Sequence, residues 1–229
     1  MRMLKMFRTA LIAAICVTWF LASPPAAANE QDAPAAPLNP ALLDPSLATA
    51  TAPDTYKVKM QTTSGSFVIE VHRDWAPKGA DRFYNLVKIG YYDNVAFYRV
   101  LKGFMAQTGM HGNPAVTAAW TAARIPPDAV KQSNTKGRVT FAMGGSPDTR
   151  TTQIFINYAN NSYLDDSGFV PFGEVVEGYE TVKQLYSGYG EGQPNGKGPS
   201  QAKFYRGGND YLTGSFPKLD YIVTASIIE

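Results

Sequence analysis

Polar and apolar residues alternate at two places near position 60. Val58 and Met60 are interleaved with Lys57, Lys59 and Gln61; after Thr63-Ser64-Gly65-Ser66, Phe67, Ile69 and Val71 are interleaved with Val68, Glu70 and His72. A period of two puts alternate side chains on one face, so this stretch predicts a β-hairpin with one face buried. The period then changes. Pro77 opens a run in which Phe83, Leu86 and Val87 share a helical face, and Gly90 closes it. Short strand-like runs follow at 96–100, 105–107, 139–143 and 154–157. A second helix is predicted over 175–185, with Val176, Tyr179, Val182 and Leu185 as its apolar stripe. Residues 187–215 are rich in glycine and read as a long surface loop. The run 221–228, rich in β-branched residues, predicts a last strand. No internal repeat is visible. Many short strands with two helices make the domain mainly β, an antiparallel barrel or sandwich. A strand at each end of the domain lets the sheet close and hide its edges.

The first 54 residues follow a different pattern. Arg2, Lys5 and Arg8 precede a short apolar run at 11–22, and Ala26-Ala27-Ala28 offers a small-residue cleavage site. That is the layout of a secretory signal over residues 1–28, cleaved near Ala28. The run is short for a membrane span, which needs about 20 residues, so no stable membrane insertion is expected after cleavage. Residues 29–54 are rich in Ala and Pro and read as a linker, or an arm lying along the domain surface. The folded domain is expected over 55–229. The single cysteine, Cys16, falls inside the signal, so a mature chain has none. The whole chain has a formal net charge of +2; without residues 1–28, 18 basic residues face 19 acidic ones. Such a near-neutral chain carries no electrostatic footprint for nucleic acid. A periplasmic or secreted location is expected, and nothing in the pattern demands a partner beyond a monomer.

Candidate chemistry is sparse. His72 and His111 stand apart with no ligand spacing around them, so no metal is expected. The glycine-rich stretch holds Asn195-Gly196-Lys197-Gly198, but glycine, not Ser or Thr, follows the lysine and the spacing is wrong for a phosphate-binding loop. Asp165 and Asp166 are adjacent, point apart on a turn and read as solvated. The informative stretch is 97–109, where Arg99 and Gln107 lie among large apolar residues on two short strands joined by a turn. Arg99, Phe104, Met105 and Gln107 then sit close together. No nucleophile, paired carboxylate or metal cluster stands with them. Such a site can grip an apolar group and donate hydrogen bonds to a carbonyl, with little means of breaking a covalent bond.

These residues resemble the cyclophilin family of peptidyl-prolyl cis–trans isomerases. Phe97-Tyr98-Arg99-Val100 followed by Phe104-Met105-Ala106-Gln107-Thr108-Gly109 matches its first block. Gly137-Arg138-Val139-Thr140-Phe141-Ala142 with Gln153-Ile154-Phe155-Ile156 matches a second. Tyr163-Leu164-Asp165 with Val170-Pro171-Phe172-Gly173-Glu174-Val175 matches a third. The three blocks run in register between about residues 56 and 228. Tyr163 stands where many members have Trp, Phe169 where many have His, Met143 where Asn is frequent, and Ile154 replaces a Phe.

The resemblance implies a closed eight-stranded antiparallel barrel capped by two helices. It implies that Arg99 and Gln107 are the catalytic pair, with the guanidinium on the proline carbonyl oxygen and near the imide nitrogen of the twisted bond. Phe104, Met105, Phe155, Leu164 and Phe169 line the pocket for the pyrrolidine ring. The backbone at Ala142 and Met143 pairs with the peptide, and Tyr163 sits at the rim. No cofactor is implied. The partners implied are proline-containing unfolded or flexible polypeptides, and the task is folding of exported proteins. The alternative is a non-catalytic chaperone or scaffold that binds proline segments. Tyr163 lacks the indole N–H of Trp, so inhibition by cyclosporin-like cyclic peptides is expected to be weak.

Overall fold

The structure is a computed structural model and describes residues 38–228. The expectations for the signal, for Cys16 and for the first part of the arm lie outside the described residues.

Nine antiparallel strands form one curled sheet. They are β1 (Thr55–Thr62), β2 (Gly65–His72), β3 (Val95–Ala96), β4 (Arg99–Leu101), β5 (Met105–Thr108), β6 (Arg138–Phe141), β7 (Ile154–Asn157), β8 (Pro171–Glu177) and β9 (Tyr221–Ile228). Their order in the sheet is β3-β9-β1-β2-β8-β6-β7-β5-β4. The β1–β2 hairpin has the expected phase: Val58 faces Ile69 and Met60 faces Phe67, and all four are buried.

The expected closed eight-stranded ladder is corrected here. The run expected at 96–100 splits at Phe97 and Tyr98. Its first half, β3, pairs with β9; its second half, β4, pairs with β5. One chain segment thus supplies both ends of the sheet. The seam is crossed by the backbone and by the Thr108 hydroxyl, which donates to the Ala96 carbonyl (2.9 Å), without a ladder of its own.

The helices also differ from expectation. Helix α1 (Pro77–Lys88) begins at its proline and buries Phe83, Leu86 and Val87 as its spacing requires. Its first amides find a cap far away in sequence: the Asp128 carboxylate accepts from the N–H groups of Lys78 and Gly79, both at 3.0 Å. Helix α2 (Pro114–Thr121) is an addition; the Asn113 side chain caps it at the Ala115 N–H (2.9 Å). The helix expected over 175–185 starts only at Tyr179 (α3, Tyr179–Gln184), because residues up to Glu177 are held in β8 by β2 and Gly178 breaks the strand at φ +70°.

The surface loop expected over 187–215 is half wrong. Residues Gln201–Ser215 form α4, capped by Ser200 and interrupted at Gly208, where φ is +54°. A Cβ at Gly208 would collide with the Gly112 carbonyl, so this helix bends where it meets the start of α2. Phe204 and Leu212 of α4 pack with Tyr98, Met110, Phe216 and Leu219 in a second apolar cluster beside the main core.

Residues 38–54 lie against the domain in two 3₁₀ turns, with Ala41, Leu42 and Ala52 buried. The Asn85 side chain accepts from the Ala50 N–H (2.9 Å) and donates to its carbonyl (2.6 Å). Asp81 accepts from the Ala52 N–H, and Trp120 donates its indole N–H to the Leu42 carbonyl. A segment with so little apolar surface is held by paired backbone polar groups instead.

Candidate active site

Strands β4 and β5 form a tight hairpin whose turn carries Gly103 at φ +80°. Its register sets Arg99 opposite Gln107. Strand β5 is buried along its whole length, so Gln107, only 7 % exposed, must satisfy its amide inside the protein. It does: Arg99 Nη1 donates to Gln107 Oε1 (3.0 Å), and Gln107 Nε2 donates to Gln153 Oε1 (3.0 Å). The Tyr98 hydroxyl donates to the same Gln153 oxygen. Burial pushes the Tyr98 phenol well above its ordinary range, so it stays a neutral donor.

These residues form one end of a groove of about 190 Å³. Phe104 and Met105 come from the β4–β5 hairpin and Phe155 from β7. Leu164 comes from the 3₁₀ turn Ser162–Ser167, and Phe169 follows that turn. Phe155 and Phe169 meet edge to face with centroids 5.7 Å apart, and the Arg99 guanidinium carbon lies 5.8 Å from the Phe104 ring centre. Ala142, Met143 and Gln201 complete the walls. A second, more polar depression of about 230 Å³ shares Gln107, Ala142 and Met143 and runs on to Thr149 and Thr151.

Nine of the ten predicted site residues line the main groove. Tyr163 does not; it is 61 % exposed and stands outside the lining. At Ala142 the backbone N–H is already committed, donating to the Gln153 carbonyl (2.8 Å). Asp165 is likewise not idle. Its carboxylate accepts from the Asn134 N–H (2.9 Å) and side chain (2.7 Å), and the Asn134 amide in turn donates to the Phe169 carbonyl (2.9 Å). Burial opposes the Asp165 charge, but bonds from Ser133 and Asn134 outweigh it and hold the carboxyl below its ordinary range.

Sequence reasoning missed Glu191 and Gln201. Glu191 accepts from Arg99 Nε and Nη2, each at 2.6 Å, a two-point ion pair across 92 residues. Those bonds hold the Glu191 carboxyl below its ordinary range. Its only signal in the sequence is a lone acid between Gly190 and Gly192. Among the described residues no group of three His, Cys, Asp or Glu side chains is placed to hold a metal.

Residues 57–201 match the cyclophilin-type peptidyl-prolyl cis–trans isomerase family. The chain belongs to that family. A peptidyl-prolyl cis–trans isomerase of Acinetobacter baylyi is 35 % identical over 133 residues, covering 56 % of this chain and 70 % of the relative. Peptidyl-prolyl cis–trans isomerase B of Escherichia coli is 32 % identical over 136 residues, covering 56 % and 82 %. A cyclophilin-type isomerase of Cryptosporidium parvum has the same fold, with a TM-score of 0.58 at 21 % identity over 76 % of this chain and 98 % of that one. This cyclophilin is thus an isomerase by family, with an apolar groove at one end of which Arg99 stands.

Proposed function

We propose that this cyclophilin accelerates rotation about X–Pro bonds in flexible or unfolded exported polypeptides, with Arg99 as the catalytic donor. The single observation that carries this is a free fork above an apolar groove. Three of the five Arg99 N–H groups are bonded to Glu191 and Gln107, and one on each terminal nitrogen is uncommitted.

The chemistry asks for little else. Cis and trans X–Pro differ by about 0.5–1 kcal/mol yet exchange over tens of seconds or more. The barrier of ~18–20 kcal/mol is resonance across the C–N bond. When the bond twists, the nitrogen lone pair is released and the carbonyl regains double-bond character. A fixed cation beside the proline can donate to that nitrogen and hold the proline carbonyl, while Phe104, Phe155 and Phe169 grip the ring. No covalent bond changes. A second Cryptosporidium parvum structure of the same fold was determined in the presence of the dipeptide Ala-Pro, which supports a proline peptide as the ligand here too.

The signal-like pattern of residues 1–28 supports export, and with it a periplasmic or secreted place of action. The test is the cis–trans relaxation of a short X–Pro peptide with and without the purified protein. A catalysed rate supports the reading. Saturable peptide binding with no gain in rate overturns it in favour of a proline-binding chaperone.

A further inference from the structure

We propose that Glu191 is a positioning residue that sets the Arg99 fork before substrate arrives. This rests on the isomerase reading above. Arginine has a long stem, and a fork left loose must be ordered during the twist itself. Ordering it in advance removes that step from the barrier.

Three observations place Glu191 in that role. It binds the Nε and Nη2 edge of the guanidinium with both oxygens, while Gln107 binds Nη1; the plane and rotation of the fork are fixed from two sides. It does this from outside the groove, since Glu191 is not among the lining residues and leaves the pocket open. And it is itself held. Its Oε1 also accepts from the Gly192 N–H (2.8 Å), and its carbonyl accepts from the Gly198 N–H (2.8 Å). A Cβ at Gly196 would collide with that carbonyl, and one at Gly198 would stand 2.9 Å from it. The glycines of this loop let the backbone fold tightly behind one carboxylate and aim it at Arg99. The charged group facing Glu191 is Arg99; beyond it, through Gln107 and Gln153, stands the neutral Tyr98 phenol.

The experiment compares the full protein with Glu191→Gln and Gly196→Ala. Glu191→Gln keeps an oxygen for the Gly192 N–H, so the loop retains its fold while the carboxylate is lost. Three readouts are taken: turnover of an X–Pro peptide, peptide affinity by NMR titration, and solvent exchange of the Arg99 Nε–H resonance. The expected result is a fall in kcat of about 5- to 20-fold, short of the roughly hundredfold that outright misplacement costs. Peptide affinity should stay within about twofold, since the apolar walls are untouched. The Arg99 Nε–H should exchange slowly in the parent and fast in Glu191→Gln. Gly196→Ala, which keeps the carboxylate but shifts its backbone, should show the same signature more weakly.

Unchanged or faster turnover in Glu191→Gln overturns the inference; faster turnover would make Glu191 a brake. Loss of affinity in step with turnover, with shifted Phe104 and Phe155 signals, overturns it in favour of a structural role. A parent with no catalysed rate overturns the isomerase reading itself, whereas an active parent indifferent to Glu191 leaves that reading standing and removes only the inference.

Discussion

Replacing Arg99 by lysine keeps the charge and removes the geometry, which makes it the sharpest test of how the groove works. Arginine here has five N–H groups, of which two go to Glu191 and one to Gln107. A lysine ammonium has three. The same two carboxylate oxygens and the same Gln107 oxygen would consume all three, leaving none for the proline. The structure therefore predicts that Arg99→Lys behaves like Arg99→Ala to within a few-fold, although lysine conserves the charge. A hydrogen bond from a charged donor is worth about 1.5–3 kcal/mol. If it is made only in the twisted state, its loss lowers kcat by roughly 10- to 150-fold at nearly constant KM. Stability should hardly change. The Arg99 and Glu191 side chains are 24 % and 34 % exposed, and such a screened pair contributes about 0–1 kcal/mol. The assay is X–Pro peptide relaxation across a range of peptide concentrations, with a thermal melt on each variant. An Arg99→Lys protein that keeps more than half the parent turnover would show that charge alone suffices, and the fork argument would be refuted.

Three further outcomes are expected. Asp128→Ala should destabilise the domain by about 3–5 kcal/mol, because it strands the buried Arg150 guanidinium, 1 % exposed, and uncaps α1; the melting temperature should fall by roughly 10 °C or more, much of it recovered in Asp128→Ala with Arg150→Met, and a drop under 2 °C would contradict the cap. Asp81 is opposed by burial but held below its ordinary range by Arg73 and the Ala52 N–H, so its contribution is complete above the unfolded carboxylate pKa of about 3.9 and is lost as pH falls through the lower folded value; denaturation midpoints measured from pH 6 down to 2 should converge for parent and Asp81→Asn, and parallel curves would refute the linkage. Tyr163→Trp should tighten inhibition by a cyclosporin-like cyclic peptide by about fivefold through one added N–H donor; an unchanged inhibition constant would mean that this exposed position does not reach the ligand.

The parts of the fold that were legible in the sequence share a physical trait: their pattern is local. The β1–β2 hairpin repeats every two residues and α1 is bracketed by Pro77 and Gly90, so each declares itself within a short stretch of chain. The Arg99–Gln107 pair was legible for the same reason, since only Lys102, Gly103 and Phe104 separate the two short strands and the chain folds back on itself. Helix α4 was not legible, because Gly207, Gly208 and Gly214 weaken helix propensity in a stretch whose order comes from Phe204 and Leu212 packing on Tyr98 and Met110, about a hundred residues earlier. The seam was hidden because β3 and β4 are one run in sequence and two ends of the sheet in space.

Glu191 belongs to the same class of hidden feature and has the larger consequence. Nothing near it repeats, and its partner lies 92 residues away. Glycine on both sides looks like a reason to expect flexibility. In the folded protein the glycines of this loop do the opposite: the Cβ missing at Gly192, Gly196 and Gly198 is space taken by a neighbouring carbonyl, and the loop packs into one shape around one acid. A glycine-rich segment that carries a single charged residue is therefore worth testing as a positioning element wherever a catalytic cation lacks an obvious partner. The blocks that align this chain with its relatives describe the groove; the segment between residues 187 and 200 determines how firmly the groove's one cation is held.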